Sequence, residues 1–250
     1  MGRLGDTSNT YPTRNLSGQL AHELGLRIVT GDFEAGALLP TESELSTQFN
    51  VSRTALREAV KVLTAKGLME SRPRIGTRVR PRSDWHLVDP DVIAWHCAAS
   101  PNEDFLCELF EIRLIVEPNA AALASERRTE GDLAILRRAF GEMTRRAACN
   151  DGLVEANVRF HTAILDAAGN PFLGALAGLM EPAFSESVRR VWTNTSPDVL
   201  LDAHRAVLDA IAAGRGGQAR RSMQSLMWTT REGLLKALSR KSIKERPISD

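Results

Sequence analysis

The chain has no run approaching about 18 uninterrupted apolar residues, so it carries no sequence signal for a membrane-spanning helix. Its first fifteen residues are polar and lack the apolar segment of a secretory signal. A cytoplasmic protein with no membrane partner is therefore expected. Cysteine is scarce: Cys97, Cys107 and Cys149 are odd in number and widely spaced, which argues against a disulfide framework or a four-thiolate metal site. All three are expected to be buried as small apolar residues. No internal repeat or low-complexity tract is present. Signatures of catalysis are missing too: there is no G-x-S-x-G elbow, P-loop or dinucleotide fingerprint, and "GRGG" at 214–217 reads as a helix stop. No enzyme is expected.

What is present is an uneven distribution of charge. Over 250 residues the net charge is +1, yet residues 1–82 hold 12 Lys and Arg against 8 Asp and Glu, leaving 20 against 23 for the rest. Between 53 and 82 the imbalance sharpens, with Arg53, Arg57, Lys61, Lys66, Arg72, Arg74, Arg78, Arg80 and Arg82 facing only Glu58 and Glu70. Such a concentration is a polyanion footprint or a solvated surface.

Periodicity places these charges on predicted elements. Ser17, the stripe Leu20, Leu24 and Ile28, and the stop at Gly31 predict a helix over about 17–30. "FEAGALLP" follows as a loop. Thr41 and Glu44 have capping-box spacing and open a short helix over about 41–49. "FNVS" is a tight turn, and Ser52 caps a third helix that Gly67 ends. Two short helices joined by so brief a turn, packed on a preceding one, form a helix-turn-helix. On the third helix Leu56, Ala59, Val60 and Leu63 make an apolar stripe, while Arg53, Arg57 and Lys61 make a cationic one beside it. Its first turn brings Ser52, Arg53 and Thr54 to the positive end of the helix dipole, where phosphates and base edges are favoured. Strands at 68–71 and 77–80 around a bend at 73–76 make a wing, with Arg72, Arg74 and Arg78 flanking a minor groove and Gly76 permitting close backbone approach.

"LPTESELSTQFNVSRTALREAVKVLTAKGL" followed by "RIGTRV" resembles the winged-helix domain of the GntR family of bacterial regulators. The resemblance implies operator contacts by Arg53, Thr54, Arg57 and Gly76. An arginine common before the second helix's glutamate in that family is Ser43 here. The alternative for Arg57 is a structural pair with Glu42.

Asp89, Pro90 and Asp91 start a short connecting helix, and Trp85, Val92, Ile93 and Trp95 are apolar enough to pin domains together. Beyond residue 100 every convincing period is helical. Asn102 caps one run, which Pro118 kinks or restarts; Thr129 and Asp132 have capping-box spacing; further helices are predicted at about 151–168, 171–192, 197–213 and 217–239. The expected architecture is mainly α, an N-terminal winged helix-turn-helix with a small β-hairpin wing and a C-terminal antiparallel all-α helical bundle. Residues 1–15 are expected as a flexible tail, 16–82 as the DNA-binding domain, 83–101 as linker and connecting helix, 102–240 as an effector-binding domain, and 241–250 as a second tail.

"EIR" with Glu117-Pro118, "NVRFH" at 157–161, Asn170-Pro171 and "AHRAVLDAI" at 203–211 resemble the FCD domain of the FadR branch of the same family. The connector "DWHLVDPDVIAW" resembles that of its sugar-acid-responsive members. From the residues themselves, Asn157 and His161 share a helical face, and His204 can converge with them. Two histidines and an amide suit the hydroxyls of a polyhydroxy acid. Arg113 is the leading carboxylate clamp, with a structural pair to Glu117 as its alternative. Trp192 and Arg231 are weaker candidates for closing the pocket. Family members that bind a divalent metal use residues corresponding to Asn157, His161 and His204 plus a further histidine, whose place here is near Leu226. With one imidazole of that set absent, the resemblance leaves a divalent metal, zinc, nickel or manganese, as an open alternative. The function expected is a homodimeric regulator, a repressor, that leaves a palindromic double-stranded operator when a sugar acid of the galactonate or gluconate kind binds. Its competitors are a metal-dependent regulator answering to another carboxylate and, remotely, a small-molecule enzyme.

Overall fold

The computed structural model describes residues 16–72, 75–98, 103–147, 152–192 and 195–244. Arg74, Asn102, Cys149, the predicted N-terminal tail and residues 245–250 lie outside the described residues. The chain divides into two compact units that meet in sequence at Pro101 and Asn102.

In the first unit, α1 (Leu16–Thr30), α2 (Glu42–Gln48) and α3 (Arg53–Ala65) precede a hairpin of β1 (Met69–Arg72) and β2 (Gly76–Val79). Local chemistry sets the starts of α2 and α3, whereas α1 begins at Leu16, so Ser17 lies inside the helix instead of capping it. The Thr41 hydroxyl accepts from the Glu44 N–H at 3.3 Å, and the Glu44 carboxylate accepts from the Thr41 N–H at 2.8 Å, completing the capping box. Ser52 Oγ accepts from the Ala55 N–H at 3.1 Å. Between α2 and α3 the chain reverses through Asn50 at φ 50°, a left-handed conformation that asparagine tolerates better than most residues. The strands pair antiparallel, Met69 opposite Val79 and Arg72 opposite Gly76, one residue further on at β1 and one earlier at β2 than predicted. The predicted loop at 33–40 holds neither helix nor strand, but it is tied down: Val79 N–H donates to Ala37 O at 3.0 Å and Leu39 N–H to Thr77 O at 2.8 Å, laying 36–39 along β2. Pairing to β2 satisfies backbone groups that a free loop would leave to water.

The core of this unit contains Leu24, Ile28, Leu45, Leu56, Leu63 and Val79. Connecting helix α4 (Pro90–Ala98) adds Val92 and Trp95 to it, with Trp85 packed alongside, and it packs on α1. Asp89 Oδ1 accepts from the Asp91 N–H at 2.9 Å, fixing where α4 begins. Lys66 corrects the charge count. It is buried and holds both Asp89 and Asp91 at 2.8 and 2.7 Å, so it is withdrawn from any polyanion surface.

The second unit consists of α5 (Glu103–Arg127), α6 (Glu130–Arg146), α7 (Leu153–Ala167), α8 (Pro171–Val191), α9 (Pro197–Ala212) and α10 (Gly216–Lys244). Pro118 does not restart α5, which runs through it; the proline removes one N–H donor, but apolar packing of the 25-residue helix outweighs that loss. Likewise α10 continues to Lys244 instead of ending at 239. Thr129 and Asp132 complete a second capping box, and Pro171 and Pro197 occupy first-turn positions. Helix α7 packs against α5, α6 and α8, while α10 packs against α5, α8 and α9. Because α7 is covered on several sides, residues around most of its circumference are buried, including the polar Asn157 and His161. Cys97 is buried as expected, whereas Cys107 is only half-buried, and neither is in a disulfide. Among the described residues no helix is long and apolar enough to cross a membrane.

Candidate functional site

The first unit presents a cationic face. Ser52, Arg53, Thr54, Arg57 and Lys61 are all exposed on or just before α3, and Arg72, Gly76 and Arg78 are exposed on the hairpin. Their side chains are held by short-range partners. Arg53 Nη2 donates to Ser43 Oγ at 3.3 Å, Arg57 pairs with Glu42 at 2.9 Å, Lys61 with Glu58 at 2.8 Å and Arg72 with Glu70 at 3.1 Å. The alternative partner considered for Arg57 is therefore the one it has. Exposed pairs of this kind contribute about 0–1 kcal/mol, so a phosphate competes with them readily. Glu42 stands in the capped first turn of α2, so the Arg57 pair ties α3 to α2.

In the second unit a small cavity is lined by Arg113 from α5, Asn157 and His161 from α7, Trp192 at the end of α8, His204 from α9 and Thr230 from α10. Its free volume of about 10 Å³ has room for roughly one water. Five of the six residues assigned to effector binding from sequence thus converge. Arg231 does not line the cavity: its guanidinium lies over the exposed ring of Trp228, 5.5 Å from the ring centroid.

The polar groups form one connected network. Arg113 Nε donates to Glu117 Oε1 at 2.6 Å, and His161 Nδ1 donates to Glu117 Oε2 at 2.5 Å, so one carboxylate joins helices α5 and α7. Burial would raise the Glu117 pKa, but the charges of Arg113 and His161 and their hydrogen bonds override it and hold the group down at about 2. The Arg113 guanidinium also lies 4.6 Å from the Phe184 ring centroid and 5.0 Å from that of Phe110. Opposite, burial and the neighbouring His161 push His204 down to about 3, leaving it neutral. His204 Nδ1 donates to Leu200 O at 2.6 Å, so its lone pair is on Nε2, where Asn157 Nδ2 donates at 3.0 Å.

Sequence patterns missed Glu117 as the partner of His161 and missed Thr230 altogether. Glu117 was visible only as a neighbour of Arg113 four residues away; its second partner is 44 positions on.

A divalent metal fits this donor set poorly. The His204 lone pair is taken by the Asn157 amide, Arg113 brings a positive charge to the same cavity, and the place of a further histidine is the fully buried Leu226. Among the described residues no cluster of three or more His, Cys, Asp or Glu side chains could hold a metal ion.

Known proteins share both units. The model described as bacterial regulatory proteins, gntR family, matches residues 16–79, and that of the FCD domain matches residues 108–228. The uncharacterized HTH-type transcriptional regulator YieP of Escherichia coli (strain K12) is 36% identical over 86% of this chain and 93% of its own. The galactonate operon transcriptional repressor of the same organism is 31% identical over 86% of this chain and 95% of its own. A solved structure of Lar, from Listeria monocytogenes, superposes with a TM-score of 0.61 at 21% identity, covering 92% of this chain and 99% of that one. Since both domain models match in the order in which the two units occur, and relatives above 30% identity span nearly their full length, the chain belongs to the GntR family of bacterial transcriptional regulators, with an FCD domain following its winged helix-turn-helix.

Proposed function

We propose that this regulator is a cytoplasmic repressor of a sugar-acid catabolic operon, acting as a homodimer on a palindromic operator and released when the acid enters the FCD cavity. The observation that carries the effector half is the buried Arg113 at a cavity that also presents Asn157, His161, His204 and Thr230. A guanidinium grips a carboxylate through two parallel hydrogen bonds, while imidazole, amide and hydroxyl groups match the alternating donors and acceptors of a polyhydroxy chain. Burying such groups is costly unless hydrogen bonds compensate, so an apolar effector is disfavoured.

A sugar acid is much larger than the space available. Its entry therefore moves side chains that close the cavity, foremost Trp192 with Val188 and Val191 of α8. A ligand that binds only the widened form shifts the protein towards that form, and release from DNA follows if recognition helices in the widened form no longer match half-sites about one turn, roughly 34 Å, apart. The likeness to a galactonate operon repressor supports galactonate or a close aldonic acid as the first compound to try.

The test is operator binding by fluorescence anisotropy, with aldonic acids, galactonate and gluconate among them, and uronic acids added in turn. One acid should release the duplex and be recovered unchanged, and Arg113→Lys should need a higher concentration of it, while binding the duplex equally well in its absence. Turnover of the acid would favour an enzyme, and release by every carboxylate or by none would overturn the sugar-acid assignment.

A further inference from the structure

One wall of the cavity in the second unit has given its donors to its own network. Asn157 Nδ2 carries two hydrogens, one directed to His204 Nε2 at 3.0 Å and the other to Met143 Sδ at 3.7 Å. The amide is held this way round, because the neutral His204 donates through Nδ1 to the Leu200 carbonyl and can only accept at Nε2. A backbone carbonyl of α9 thus fixes, through one imidazole, which way an amide on α7 faces, and His204 is a positioning residue for Asn157. What remains of Asn157 is Oδ1, an acceptor without a hydrogen-bond partner among the described residues. Thr230 is in the same condition: its hydroxyl donates to Leu226 O at 2.8 Å and leaves only lone pairs. Donors come from elsewhere in the lining, the Arg113 guanidinium on α5 and the Trp192 indole N–H, neither of which can accept. His161, whose Nδ1 is held by Glu117, has one ring nitrogen left, which serves either role according to its proton.

We infer that Asn157 Oδ1 and Thr230 Oγ1 each accept a hydrogen bond from a hydroxyl of the bound acid while Arg113 holds its carboxylate, so that the cavity rejects analogues in which either hydroxyl is replaced by an acceptor-only group. This rests on the effector half of the proposed function and names the feature by which the acid is told from its oxo analogues. A hydroxyl donates as well as accepts. A carbonyl or a fluorine only accepts, and set against either lone pair it would leave two acceptors facing each other away from water. Sites built to bond a hydroxyl reject the analogue lacking it more strongly than an apolar pocket rejects one methylene. The orientations survive entry of a ligand, since this wall belongs to α7, α9 and α10, whereas Val188, Val191 and Trp192, which must yield, are on α8 or at its end. An acid whose hydroxyl at either position is oxidised, or lost by dehydration to an oxo group, ceases to be a ligand. The regulator therefore answers to the acid ahead of that class of reaction.

Calorimetric titration of the full-length protein with galactonate and gluconate, and with derivatives of each carrying fluorine in place of one hydroxyl, tests this. For the acid that binds, fluorine should weaken binding by about tenfold or more at two carbons and by less at the others, as an unpaired buried acceptor commonly does. Thr230→Val removes one acceptor and keeps the shape, so the penalty at one of these carbons should fall below about threefold while the other stays, the pattern of a double-mutant cycle on one contact. Thr230→Ser keeps the acceptor and should keep both penalties. In each variant the Leu226 carbonyl retains its bond within α10, so both should melt close to the parent. EDTA should change no affinity, because a metal would need the His204 lone pair that the Asn157 amide holds. Equal binding of every fluorinated acid, two penalties that Thr230→Val leaves intact, or binding lost in EDTA would overturn this inference and leave a sugar-acid sensor standing. Binding of neither parent acid would overturn both.

Discussion

Gly25 lies directly beneath the indole of Trp95: a Cβ on Gly25 would come within 2.6 Å of Cε3 of that ring. The indole N–H donates to His22 Nδ1, one turn back on α1, at 2.8 Å. One aromatic side chain thus docks the connecting helix on the first helix through both a packing contact and a hydrogen bond.

Gly25→Ala should therefore destabilise the first unit, although alanine is the better helix former. Overpacking costs about 1–3 kcal/mol, against roughly 1 kcal/mol gained in helix propensity. Trp95→Leu removes the obstruction, so in that background the same substitution should be neutral or stabilising. Urea midpoints of the four proteins of this double-mutant cycle check the sign, and additive effects would refute the contact as the cause.

Lys66 should govern the alkaline limit of the same unit. Burial lowers its pKa, yet Asp89 and Asp91 more than compensate and leave it raised above 10.5. A lysine raised on folding contributes stability that is complete below its unfolded pKa and is lost as pH climbs through the folded one. The loss should therefore begin above about pH 10.5, the unfolded lysine value. Lys66→Met leaves two carboxylates without their cation, should cost about 3 kcal/mol at neutral pH, and should flatten the alkaline limb. Denaturant titrations between pH 8 and 11 measure both.

The second unit should weaken in acid well before its carboxylates protonate. His204 falls from 6.5 to about 3 on folding, so the unfolded chain binds the extra proton throughout that interval. Stability is then full above about pH 6.5 and declines as pH falls towards 3. Glu117 adds a loss of the same sign between 4.5 and about 2. Urea midpoints from pH 7.5 to 5 should drop for the parent, and His204→Gln should reduce the slope even if it lowers the starting stability.

Arg57→Gln separates surface pairing from DNA contact. Its pair with Glu42 is exposed, so the melting temperature should scarcely move. If Arg57 touches a phosphate, the slope of log affinity against log salt should fall by about one unit. Unchanged slope with relaxed sequence preference would assign it to a base instead.

Much of the architecture is legible in local sequence. Thr41 with Glu44, Thr129 with Asp132, Ser52, and the first-turn prolines Pro90, Pro171 and Pro197 each act within about one helical turn, so spacing alone locates the helix starts. Convergence of Asn157, His161 and His204 was also legible, since two share one helical face. Less legible were the continuity of α5 through Pro118 and the strand-like pairing of 36–39, because burial and a partner strand outweigh the local signal.

Residue types and short spacings by themselves determined that this chain folds into a capped helix-turn-helix with a cationic face and then a run of amphipathic helices. Only tertiary packing decided that Lys66 faces two carboxylates of the connector and that Glu117 joins Arg113 to His161. Hydrogen bonds and charges act over a few ångströms, and which side chains come that close across tens of residues depends on how the helices are packed, which no local pattern records.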